Sequence, residues 1–298
     1  MAANDYSRRS KKDVLFSETA NNDIEDNFDV ERFIRENDSK IKIIVTIKIV
    51  IQILVVGLLV WLCCMALLKM DVITYVITTA MSCFVIFPLI DKFFSARYTS
   101  YIENVVKSFQ KIKLYSHKIE DGAAEWKKII NSPGKAYTKD FMKIEIDDKI
   151  VKAMDLEILL RIRYGSMTYF IGEYYAISLG NKTFANNMML TKGKFEHIQK
   201  RAYYFQHKGY TIYAYKEDNI NDSDMNRVYA LADELRNYLK DKPFIINFTG
   251  DKILFMLATK NTDNFHYGFF NYTITDRLRR DITALKHRIQ IAEILASA

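Results

Sequence analysis

The chain has 298 residues, 49% of them apolar and 27% charged, a composition suited to one or two ordinary globular domains. With only 10 glycines and 3 prolines, collagen-like, low-complexity and largely disordered classes are excluded. The net charge of +7 is unevenly placed: residues 13–38 sum to −7 and residues 93–298 to +8. The basic residues of that second part are dispersed among acids. A nucleic-acid partner is therefore disfavoured, and a surface facing an anionic lipid leaflet fits better.

Residues 1–40 read as a flexible acidic leader. Its first half lacks apolar periodicity, and Ile24, Phe28, Val30, Phe33 and Ile34 then interrupt an acidic run that suits a short amphipathic helix. Residues 41–92 read as a two-helix transmembrane hairpin. The first span is bounded by Ile49 and Leu68, twenty uncharged residues that cover roughly 30 Å at about 1.5 Å each. The second, bounded by Val72 and Ile90, is also uncharged, and only Lys69, Met70 and Asp71 separate the two. Lysines and arginines flank the pair on the outer sides, which places both termini in the cytoplasm by the positive-inside rule. All three cysteines, Cys63, Cys64 and Cys83, fall in these runs, so no disulfide framework is expected for the rest. Gln52, Thr78, Thr79 and Ser82 are the polar side chains that would line a pore or bond neighbouring helices.

Residues 93–120 read as a juxtamembrane helix, with Phe94, Tyr98, Tyr101, Ile102, Val105, Phe109 and Ile112 on one face. Residues 121–298 read as a cytoplasmic α+β domain with a mostly antiparallel sheet. Alternation over residues 141–146 predicts a strand, and Val151, Met154, Ile158, Leu159 and Ile162 recur at helical spacing. SMTYFIGEYYAISL reads as strand again, with Gly172 at a turn or bulge. GYTIYAY predicts a further strand, and a helix from Asp222 to Lys240 follows. FIINF and KILFMLA, joined by Thr249-Gly250-Asp251, predict a hairpin, and a last helix starts near Thr275.

The order of these features resembles the bacterial domain-of-unknown-function 3137 family. The likeness rests on YFIGEYYAISL, YTIYAYKED, LRNYLKDKPFIINFTGDKILFML and NFHYGFF, followed by a terminal helix. It implies a two-span membrane hairpin ahead of a cytoplasmic α+β domain, and it carries no site residues.

The search for chemistry is brief. Gly134-Lys135 and Gly193-Lys194 both lack the upstream glycine of a phosphate-binding P-loop. No histidine pair has metal-ligand spacing; His197 and His207 can meet only through the fold. His266, beside Asp263 and Tyr267, is the acid–base candidate. Asp147-Asp148 and Glu217-Asp218 are weighed for a cation and read rather as solvated turn residues. Tyr203, Tyr204, Tyr210, Tyr213 and Tyr215 form an aromatic stretch suited to a sheet face or a protein interface. No catalytic residue, cofactor or metal is assigned. The expected function is a non-enzymatic, membrane-anchored interaction or scaffold domain, with a protein partner or a second copy as its target. The alternative is an oligomeric effector or channel gated through the cytoplasmic domain.

Overall fold

The computed structural model describes residues 30–68, 80, 87–117, 120–121, 125–126, 129–130, 135–162, 165–180, 188–195, 203–214, 222–240, 242–259 and 274–298. Three helices come first or nearly so: α1 (Val30–Glu36), α2 (Asp38–Leu68) and α3 (Phe87–Lys107). Strands β1 (Ile112–Ser116), β2 (Glu120–Asp121), β3 (Lys135–Ile146), β4 (Lys149–Ile162), β5 (Gly165–Ser178), β6 (Met188–Lys192), β7 (Tyr203–His207) and β8 (Tyr210–Ala214) follow. Helix α4 (Asp222–Leu239), the hairpin β9 (Phe244–Thr249) and β10 (Lys252–Ala258), and helix α5 (Ile274–Ser297) complete the set.

All ten strands join one sheet in the order β1-β3-β4-β5-β10-β9-β6-β8-β7, with β2 also on β3. Every ladder is antiparallel. One face carries the larger core, in which Ile102 and Val105 of α3, Val228 and Leu235 of α4, and Leu285 and Ile289 of α5 meet Ile144, Val151, Tyr175, Ile246 and Phe255 of the sheet. On the other face Trp126, Ile129 and Ile130 pack with Leu156, Tyr174, Ile245, Leu254 and Met256. The central strands are thus buried on both sides, and β9 and β10 read as continuous apolar runs for that reason.

Two expectations are corrected here. The segment 151–162, read at helical spacing, is strand β4, whose Val151 and Ala153 face one core while Met154, Leu156 and Ile158 face the other. Burial on both faces erases the period-two signal and leaves an apolar run that mimics a helix stripe. The two-helix transmembrane hairpin is likewise not seen. Residues 69–79 and 81–86 lie outside the described residues, and α3 packs on the sheet through Phe94, Tyr98, Ile102 and Val105. Among the described residues no helix is long and apolar enough to cross a membrane. In α2 the described side chains run unbroken only as far as residue 55, and that stretch carries Asp38, Lys40, Lys42 and Lys48. The sheet-plus-helix composition of the domain does match the expectation.

Gly172 is neither a turn nor a bulge. It sits inside β5, paired with Leu156 on one side and Ala258 on the other. A Cβ there would lie 2.0 Å from the Leu257 carbonyl oxygen and 2.7 Å from the Phe170 ring, so only glycine lets β10 approach this closely.

Candidate functional site

A bulge in β3 starts the site. The register runs Lys139 opposite Asp155 and resumes at Met142 opposite Ala153, so Asp140 and Phe141 both face Met154. Asp140 takes φ +54°, a conformation that costs a non-glycine residue of order 1–3 kcal/mol. This strain turns its fully buried carboxylate toward the end of β1. There Oδ1 accepts a hydrogen bond from the Tyr115 hydroxyl at 2.9 Å and lies 2.6 Å from His117 Nδ1.

The Asp140 backbone carbonyl is held from the other side. Arg288 of α5, completely buried, donates Nη1 to it at 3.0 Å. Its Nη2 pairs with Asp155 of β4, and its Nε lies 3.6 Å from Glu173 Oε1 on β5. Glu173 Oε2 also accepts from the Tyr175 hydroxyl at 2.6 Å. Three buried acids thus surround one guanidinium. Burial raises the Asp155 carboxyl well above its ordinary range, against the pull of Arg288. Burial pushes Glu173 upward too, but Arg288 together with the Tyr175 hydrogen bond and the nearby Lys242 outweighs it, and the carboxyl is held low. Arg288 keeps its proton firmly: the attraction of Asp155 and Glu173 overcomes the burial that opposes its charge.

Helix α5 carries two further polar groups. Asp281, seven residues before Arg288 and buried, accepts from the Tyr98 hydroxyl of α3 at 2.7 Å and from Arg277 Nε at 3.3 Å. His287 stacks on Tyr238 of α4 at 5.2 Å between centroids, with Nδ1 2.7 Å from its hydroxyl. Burial pushes the His287 imidazole down to about 4, so it is neutral near pH 7 and shares that bond with the Tyr238 hydroxyl as a neutral ring.

His117 is the part of this network that reaches solvent, its side chain 30% exposed. It forms one wall of an open groove of about 650 Å³, opposite Lys92, Ser95, Thr99, Ser100 and Glu103 of α3. The hydrogen bond that Nδ1–H donates to Asp140 raises the imidazole's proton affinity and outweighs the burial that lowers it. With Nδ1 engaged by Asp140, Nε2 is the ring nitrogen left to serve a ligand in the groove that His117 lines. The arrangement is an oriented, readily protonated imidazole beside a wall of hydroxyls.

None of the described site candidates singled out from sequence belongs to this network. His266, Asp263, Tyr267, His197, Glu217, Asp218, Thr78, Thr79, Ser82 and Tyr215 are outside the described residues. Gln52 is half-buried on α2. Asp147 and Asp148 form the exposed β3–β4 turn, both at positive φ, consistent with their reading as turn residues. Tyr210 is a core residue, 1% exposed, whose hydroxyl donates to Asp233 Oδ1 at 2.8 Å. Tyr213 points to the opposite core, and Tyr203 and Tyr204 belong to the end strand β7. Of the described tyrosine side chains, Tyr210 and Tyr213 thus face opposite cores. Among the described residues no cluster of three or more His, Cys, Asp or Glu side chains is arranged to hold a metal ion.

The comparisons with known proteins return nothing: no family model, no curated protein and no solved structure matches the chain.

Proposed function

We propose that the protein is a membrane-anchored, non-enzymatic interaction domain, held at the cytoplasmic leaflet by the apolar arm of α2. The observation that carries this reading is where packing stops along one helix: α2 buries Ile41 and Lys48, and none of its described side chains beyond Lys48 is buried. Ile41 and Lys48 are 6% and 5% exposed against the domain, whereas Ile53, Leu54 and Trp61 are 65%, 65% and 56% exposed. Ile49, Val50, Leu58 and Val60 are exposed as well. A contiguous apolar surface of this kind is rare on a soluble monomer and marks contact with lipid or protein.

Lipid is the occupant favoured here. The arm is apolar all round rather than along one stripe, which suits immersion in a bilayer better than docking into a groove. Each large side chain moved from water gains roughly 1.5–3 kcal/mol, so the exposed set together exceeds what a single acyl chain supplies. Lys40 and Lys42, exposed at the base of the arm, meet anionic headgroups. The inner network supports binding rather than turnover, since Arg288, Asp155 and Glu173 are too deeply buried to meet a substrate.

Vesicle flotation tests the reading. The full chain is expected to float with anionic liposomes, and Ile53→Asp/Leu54→Asp to stay at the bottom of the gradient with its fold intact by circular dichroism. Equal recovery of both proteins in the soluble fraction would overturn it.

A further inference from the structure

We propose that the groove between α3 and His117 binds the phosphate group of a small ligand, with His117 Nε2–H as the principal donor and the hydroxyls of Thr99 and Ser100 beside it. The inference does not depend on the anchoring of α2.

The orientation of His117 is the first argument. A partly exposed histidine usually swings among rotamers. Here Asp140 fixes it through a 2.6 Å contact, and Asp140 is itself fixed by Tyr115, by Arg288 on its carbonyl and by a strained bulge. Four restraints thus converge on one imidazole that lines the groove. Such a supporting layer orients imidazoles that bind a ligand or metal.

Charge and shape narrow the ligand. A carboxylate behind Nδ1 keeps the imidazole cationic at higher pH than an isolated histidine, making Nε2–H a charged donor. Ser95, Thr99 and Ser100 line the facing helix wall, small side chains that leave room and offer further donors. Lys92 adds a second cation, while Asp91 and Glu103 keep the lining close to neutral. That balance admits one compact anionic group and repels an extended polyanion such as a nucleic-acid backbone. The groove's volume of about 650 Å³ falls within the range of small-molecule sites, roughly 300–1,000 Å³.

Inorganic phosphate is the probe, titrated by calorimetry into the purified full chain with and without nanodiscs of neutral phosphatidylcholine. Saturable binding is expected, weakened about tenfold or more by His117→Gln, as for loss of a charge-assisted hydrogen bond. Thr99→Val, nearly isosteric, is expected to weaken it by a smaller factor. Asp140 acts as a positioning residue, so Asp140→Asn is expected to move the pH profile of binding toward lower pH, which a merely structural role would not do. Nanodiscs doped with phosphatidic acid separate the sources. Competition with phosphate identifies a lipid headgroup, and unchanged phosphate affinity identifies a free phosphorylated ligand; either retains the site. Failure of the wild-type chain to bind phosphate, or binding unchanged in His117→Gln, overturns the proposal.

Discussion

Tyr98 of α3 and Asp281 of α5, 183 residues apart, share a 2.7 Å hydrogen bond between side chains that are both almost fully buried. The bond ties the two helices across the sheet face, and burial with the nearby carboxylate raises the phenol's pKa far above its usual value. Tyr98→Phe keeps the ring packing and removes the donor, leaving Asp281 to Arg277 alone. A loss of about 1–3 kcal/mol is expected in urea unfolding.

Arg288→Met is expected to be far more damaging than its volume change suggests. It strands Asp155 and Glu173 without their counter-charge, a situation that costs about 3–5 kcal/mol. Adding Asp155→Asn and Glu173→Gln to the same chain is expected to recover part of that loss. Denaturation midpoints of the single and triple variants measure the difference. Equal midpoints would show that the acids are indifferent to the guanidinium.

The pH dependence of stability carries two opposite contributions. His287 has a folded pKa depressed to about 4 against 6.5 when unfolded. Its contribution is complete above pH 6.5 and is lost as pH falls toward 4, about 3 kcal/mol in all. Thermal melts of His287→Gln, which keeps an acceptor for Tyr238, are expected to show a flatter acid limb than the parent.

His117 works in the other direction. Its folded pKa is raised by Asp140, so its contribution is complete below about pH 6.5 and fades as pH rises through the folded value. In melts from pH 6 to 9, His117→Gln is expected to lose stability at the low end of that range and to match the parent at the high end.

Gly172→Ala tests the close approach of β5 and β10. The new methyl would meet the Leu257 carbonyl at 2.0 Å, so backbone must move in a region buried on both faces. A destabilisation of about 2 kcal/mol or more is expected, a scale typical of overpacked cores. Hydrogen exchange should show it as faster opening of the β10 amides.

Much of the domain is readable from residue pattern. Helix α4, the β9–β10 hairpin about Gly250, strand β5 and helix α5 follow from periodicity and turn chemistry. Strand β4 does not, because a strand covered on both faces loses its alternation. The buried network was present in the sequence in a form that a search for motifs passes over. Asp140 occupies an inward position in the alternation Ala136, Thr138, Asp140, Met142, Ile144. Asp281 and Arg288 interrupt the apolar stripe of α5 between Leu278, Ile282, Leu285 and Ile289. Charges at positions reserved for apolar side chains are the signal. What pairs with what, and that His117 stands at the groove end of the chain of contacts, depends on a register and a bulge that no local pattern specifies.

The order in which these charges occur along the chain has a consequence for biosynthesis. Asp155 and Glu173 precede Arg288 by more than one hundred residues, so they leave the ribosome well before the cation that pairs with them. The early strands therefore face a penalty for closing over their acids until α5 docks. The strands that carry Asp155 and Glu173 are expected to close fully over them only once α5 has been translated and has docked.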